Sequence, residues 1–157
     1  MGTGKTVVGK ALSKKTGAAF VDVDNDIEFV EKARIADIFK SKGEQYFRRL
    51  EKEALERVSG KDGVVVSCGG GIVIDPENVS IMKKTGVCIC LTASPEEILK
   101  RVGSTKHRPL LQCDDPLSRI KELLAARQSY YNRADMIIDT TGLPIPEIVD
   151  ALRALLP

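Results

Sequence analysis

Near the start of the chain, Gly2-Thr3-Gly4-Lys5-Thr6 sets a lysine and a hydroxyl behind two glycines, and a helical pattern through Val7, Val8, Ala11 and Leu12 follows at once. Residues Met1 to Thr6 match the last six positions of the phosphate-loop pattern G-x-x-x-x-G-K-[ST]. The two glycines let the backbone curl so that its N–H groups point at phosphate oxygens, and the next helix offers its N-terminus to the same anion. Lys5 would neutralise β- and γ-phosphates, and the Thr6 hydroxyl would take one position on Mg²⁺. The pattern's first glycine would fall two positions before Met1, and the strand that should lead into the loop is absent from the sequence. The expectation is an internal methionine taken as the start, with an in-frame stretch upstream that reads as an apolar strand ending in Gly-x. Such a strand is central in a doubly wound sheet, so without it neighbouring strands are expected to carry unpaired backbone groups.

A second set of residues could serve a phosphoryl acceptor. Asp22 and Asp24 end the run Phe20-Val21-Asp22-Val23-Asp24, at the C-terminal end of a strand where ligands collect in open α/β sheets. Two apart on a strand, they would face the same way, one serving Mg²⁺ and the other reaching the acceptor hydroxyl. The competing reading makes Asp24 the cap of a helix from Asn25 onward. Gly69-Gly70-Gly71 follows a buried run at Val64 to Ser67, and fits either close backbone approach to a ligand or a turn with positive φ. Arg48, Arg108 and Arg127 carry guanidinium forks that match a carboxylate, so several of them converging would suit an acidic, hydroxylated acceptor.

The elements that must position these groups alternate short β-branched runs with longer helical patterns, which argues for an α/β fold of three layers, a parallel sheet covered by helices. Strands are expected at Ala18 to Asp22, Val64 to Ser67, Val87 to Leu91 and Met136 to Asp139, apolar enough to be covered on both faces. Helices begin at Pro76 and Pro95 behind Asp75 and Ser94, and a long one runs from about Pro116 to Ala134. The stretch Ile35 to Val58 reads as a helix broken at Gly43, and most of the charges of Glu44 to Glu51 read as solvated. Residues 103–115 show no clean period and read as a mobile loop.

The 157 residues, 43% of them hydrophobic, suit one domain with a real core. Lys and Arg total 24 against 22 Asp and Glu, which is not the footprint of a nucleic-acid binder. Cys68, Cys88, Cys90 and Cys113 lack C-x-x-C spacing and have one histidine for company, which argues against a zinc site. Cys88 and Cys90 read as core residues. Reduced thiols and the lack of an apolar span or signal-like start point to a cytoplasmic protein that does not use a membrane.

Taken together, Gly2 to Thr6, Asp22-Val23-Asp24, Phe47-Arg48, Gly69 to Gly71, Arg108-Pro109-Leu110-Leu111 and Arg127 resemble, in order and interval, the signature of the shikimate kinase family over essentially the whole chain. The resemblance implies a P-loop kinase of the nucleoside monophosphate kinase type, its first central strand missing here. It implies transfer of the γ-phosphoryl of ATP, with Mg²⁺, to the 3-hydroxyl of shikimate, by a monomeric, cytosolic enzyme of aromatic amino acid biosynthesis. By the same resemblance Gly2, Thr3, Gly4, Lys5 and Thr6 bind the nucleotide, Thr6 and Asp22 the metal, and Asp24 the acceptor hydroxyls as base or orienter. Arg48 and Arg127 bind the shikimate carboxylate, and Gly69 to Gly71 enclose the ring. Arg108 lies in a lid at about 103–115, Arg101 packs on adenine and Asp139 to Pro144 form the adenine loop. His107, beside Arg108, reads as a solvated lid residue. The alternatives are a truncated, non-catalytic binding relative and a gluconate-type small-molecule kinase.

Overall fold

In the computed structural model, residues 2–103, 111 and 113–156 are described. Four strands lie among them: β1 (Ala19–Asp22), β2 (Val64–Ser67), β3 (Ile89–Thr92) and β4 (Met136–Asp139). Seven helices separate them: α1 (Lys5–Thr16), α2 (Val23–Glu31), α3 (Ile35–Ser59), α4 (Pro76–Thr85), α5 (Pro95–Val102), α6 (Pro116–Tyr131) and α7 (Ile145–Leu155). The strands fall within two residues of the positions expected from the sequence, and the fold class is the α/β arrangement expected.

Local chemistry explains the boundaries. Asp75 accepts from the Glu77 N–H and Ser94 from the Glu97 N–H, capping α4 and α5, each with proline in its first turn. Gly43, at φ 79° and ψ 174°, kinks α3 where the sequence predicts a break. Helix α6 stops at Tyr131, three residues short of the expected end, because the chain turns through Asn132, whose N–H bonds back to Gln128.

Strand β1 pairs with β2 and β3 with β4, both in parallel, but β2 and β3 are not paired with each other among the described residues. The two pairs share one helical layer. Val65 of β2, Ile89 and Leu91 of β3 and Ile138 of β4 all pack on a core of Val8 and Leu12 from α1 with Ile148, Val149 and Leu152 from α7. On the opposite face Val21 and Val66 pack on a core that includes Val23, Ile27, Phe47, Leu50 and Ala54. Side chains thus alternate between the layers, as the strand period requires. A third core, Ala93, Ile98, Leu111 and Ile120, ties α5 to α6.

One expectation is corrected. The strands were to be fully covered, yet nearly every residue of β2 and β3 is only half-buried, because their facing edges border an open cleft. Cys88 and Cys90 are half-buried for the same reason and Cys113 is exposed.

Candidate functional site

The loop before α1 takes the shape its glycines allow. Gly2 and Gly4 have φ of 69° and 88°, in the left-handed region that glycine tolerates best. A Cβ at Gly2 would also lie 2.9 Å from Ile98 Cγ2. Helix α1 opens at Lys5 with no side-chain cap and no acidic residue in its first turn, so its first N–H groups and positive end are left to an anion. Behind them the Thr6 hydroxyl donates to Asp22 Oδ2 at 2.8 Å.

Asp22 and Asp24 do not share a strand face as expected. The strand ends at Asp22, whose carboxylate accepts from the Asn25 N–H at 3.3 Å and caps α2. Asp24 therefore stands in the first helical turn, and the cap is Asp22 rather than Asp24. The change of element turns the two carboxyls apart in role: Asp22 toward Thr6, Asp24 toward the glycine turn. A Cβ at Gly69 would sit 3.1 Å from Asp24 Oδ1 and 2.9 Å from Glu51 Oε1, and one at Gly71 would sit 2.8 Å from Arg48 Nη2. Neither Gly69 nor Gly71 has positive φ, so close approach, not turn geometry, is why these positions are glycine. The Tyr131 hydroxyl on α6 donates to the Gly70 carbonyl at 3.2 Å.

Arg48 on α3 is held by its own helix. Its Nε and Nη2 donate to Glu44 Oε1 at 3.1 and 2.8 Å, and its Nη1 donates to Glu51. Glu51 falls in the stretch whose charges were expected to be mostly solvated, but it is 1% exposed, because it lies against the glycine turn at Gly69. Its i,i+3 spacing from Arg48 was the signal in the sequence that could have found it. Arg127 on α6 is half-buried and has no hydrogen-bond or ion-pair partner among the described residues, while its charge is close enough to favour ionised Glu51.

Burial pushes the Asp24 carboxyl above its ordinary value. Neighbouring Asp22 and Glu28 add to this, and Lys5 and Arg48 oppose it. Glu51 is raised by burial too, against the pull of Arg48. For a carboxyl with a raised folded value, the unfolded chain releases its proton first as pH increases. Stability is therefore expected to fall as pH rises from the ordinary carboxyl range, near 3.8 for Asp24 and 4.5 for Glu51, toward their raised values. Urea titrations at stepped pH check this, and Glu51→Gln should flatten the slope; a stability that climbs through that window would sink the assignment.

On the far side, Arg101 donates from Nη1 to the Thr140 hydroxyl at 2.8 Å and from Nη2 to the Thr140 carbonyl at 2.5 Å, while its Nε bonds Glu97 at 2.8 Å. These bonds fix the 139–144 turn, where Thr141 also bonds Asp139. The structure thus gathers Lys5, Thr6, Asp22, Asp24, Arg48, the glycine turn and Arg127 on one side, and joins Arg101 to the 139–144 turn. Arg108 and His107 lie outside the described residues.

The donor set also speaks to the metal. Thr6 and Asp22 offer two hard oxygen ligands, and among the described residues no group of three or more acidic, histidine or cysteine side chains is arranged to hold a metal ion. Two protein oxygens suit Mg²⁺, which keeps waters and takes the rest of its shell from phosphates. No described helix is long and apolar enough to cross a membrane.

The chain is similar to known proteins over nearly its whole length. A family model described as shikimate kinase matches residues 1–156. Proteins named shikimate kinase from Thermodesulfovibrio yellowstonii and Thermoanaerobacter pseudethanolicus are 45% and 41% identical over 97% and 96% of this chain, each match spanning 88% of the relative. The solved structure of shikimate kinase from Acinetobacter baumannii in complex with shikimate superposes with a TM-score of 0.93 at 32% identity, covering 99% of this chain and 87% of that one.

Proposed function

Because the chain belongs to the shikimate kinase family, we propose that Asp24, Arg48, Arg127 and the Gly69–Gly71 turn hold shikimate while Lys5, Thr6 and the loop before α1 hold ATP. The reaction is transfer of the γ-phosphoryl group of ATP to the 3-hydroxyl of shikimate. The observation that carries the residue roles is the half-buried Arg127, without a hydrogen-bond or ion-pair partner among the described residues and close to the Arg48–Glu51 pair, beside a glycine turn that keeps side chains out of the space between them.

Each group then has work that its placement allows. Arg127 would pair with the shikimate carboxylate, joined by Arg48, whose link to exposed Glu44 can be exchanged for the ligand while buried Glu51 keeps its guanidinium aimed. Asp24, its proton affinity raised, would accept a hydrogen bond from the acceptor hydroxyl and take its proton as the new O–P bond forms. Lys5 and the first N–H groups of α1 would neutralise the charge spread over the transferring phosphoryl group, the dominant demand of such a transition state. Thr6 and Asp22 would hold Mg²⁺, which when bound would supply positive charge to offset that of the phosphates. Arg101 and the 139–144 turn would border the adenine.

ADP production dependent on shikimate tests the reaction, and Arg127→Ala tests the roles. Loss of a charge-assisted pair should raise the KM for shikimate about 30- to 100-fold, with the KM for ATP nearly unchanged. An unchanged shikimate KM would remove Arg127 from the carboxylate site.

A further inference from the structure

The glycine turn after β2 carries three carbonyls, and they are satisfied in two different ways. Those of Gly69 and Gly71 accept from the N–H groups of Ile72 and Ile74, at 3.2 and 3.1 Å, as the chain enters the short 3₁₀ turn Ile72–Ile74. The middle carbonyl, that of Gly70, accepts instead from the Tyr131 hydroxyl on α6 at 3.2 Å. Among the described residues no backbone N–H serves it.

The middle carbonyl belongs to the peptide unit between Gly70 and Gly71, a planar unit that turns through ψ of the first residue and φ of the second. Both are glycines, so no Cβ resists rotation in either sense. The C=O and N–H of a trans unit point opposite ways, so with its carbonyl held by Tyr131 the unit turns the Gly71 N–H away from that hydroxyl. A flip of this one unit would put an acceptor where the donor stands. The groups assigned to the phosphoryl acceptor surround it: a Cβ at Gly71 would meet the Arg48 guanidinium, and one at Gly69 would meet Asp24 and Glu51. Tyr131 itself follows Arg127 by four residues, so the two side chains leave the same face of α6.

We propose that Tyr131 is a positioning residue for the acceptor: its hydroxyl holds the Gly70–Gly71 peptide in one of the two orientations that glycines allow, and so keeps the Gly71 N–H available as a donor beside Arg48. The inference rests on the acceptor site described under the proposed function. The hydroxyl acts through the peptide and makes no contact with the acceptor. Its ring borders a small cavity with Ile98, Ile120, Leu123 and Leu124, an apolar setting that a phenyl ring fills equally well, so the hydroxyl is the part of the side chain that the turn requires.

Tyr131→Phe therefore removes the hold and leaves the packing. The KM for shikimate should rise about 3- to 15-fold, the effect of one lost hydrogen bond, while the KM for ATP and the melting temperature stay near those of the parent. In the ligand-free variant the ¹⁵N-labelled amides of Gly70 and Gly71 should show microsecond-to-millisecond exchange by relaxation dispersion that the parent lacks. Unbroadened amides at both positions would overturn the hold, and so would a rise in both KM values together with a lower melting temperature. Combination with Arg127→Ala decides the route: multiplying effects on the shikimate KM are expected, because the peptide and Arg127 act separately. A Tyr131→Phe effect that vanishes once Arg127 is gone would overturn the route through the turn and make Tyr131 a support for Arg127. If Arg127→Ala alone leaves the shikimate KM unchanged, the acceptor reading fails, and exchange at Gly70 and Gly71 in the ligand-free chain still decides for or against the hold on the peptide.

Discussion

Lys5→Met is expected to lower kcat about 10²- to 10³-fold, the loss that follows when one preorganised charge or donor is taken from a developing oxyanion. Methionine keeps most of the stem, so the loop held by Gly2 and Gly4 should survive and the melting temperature should move little. The same substitution has a second, separable effect. Lys5 is one of the charges that lower the Asp24 carboxyl, so its removal should push Asp24 further up. The acid limb of the residual kcat/KM profile should then shift to higher pH than in the parent. A loss of activity without that shift would mean that Lys5 and Asp24 do not share a site when substrates are bound. Near-parental kcat would remove Lys5 from the phosphoryl centre altogether.

How much of this could be read from sequence depends on whether the information is local. The helix starts at Pro76 and Pro95 and the kink at Gly43 were legible, because a cap, a proline or a glycine acts on its own turn. The strand at Val64–Ser67 was legible as well, through its unbroken β-branched run. The Asp22–Asp24 pair was misread because period alone cannot tell where a strand yields to a helix; the cap that decides it is a bond from Asn25. Glu51 was missed for a different reason. On a helix dense in charge its i,i+3 spacing from Arg48 is one such pair among several, and the approach of Gly69 and the grip on Arg48 are what single it out. Tyr131 likewise reaches Gly70 across 61 positions of sequence, a contact no local pattern carries. That β2 and β3 rest on a common helical layer with an open cleft between them is likewise a result of tertiary packing.

Asp24→Asn separates proton transfer from positioning more cleanly than any other change at this site. The amide keeps the size of the carboxyl and can still hydrogen-bond an acceptor hydroxyl, but it cannot take a proton at neutral pH. If Asp24 serves as the base, kcat should fall about 10²- to 10⁴-fold, with the KM for shikimate changed much less. If it only orients the hydroxyl, the loss should stay within about tenfold, and the base role is lost. Stability should move the other way. Asp24 is raised chiefly by burial and then by repulsion from Asp22, so above its raised value the folded chain carries a charge it does not favour. Replacing that charge with a neutral amide relieves Asp22 and Glu28, although it also gives up the attraction of Lys5 and Arg48. Because the opposing causes already sum to a raised carboxyl, the relief is the larger effect, and the variant should unfold at higher urea concentration than the parent at pH 7 while matching it at pH 3. An inactive variant that is more stable only where Asp24 would be ionised ties the stored repulsion to the group that does the chemistry. Equal stabilisation at both pH values would instead trace the effect to packing or to the unfolded chain.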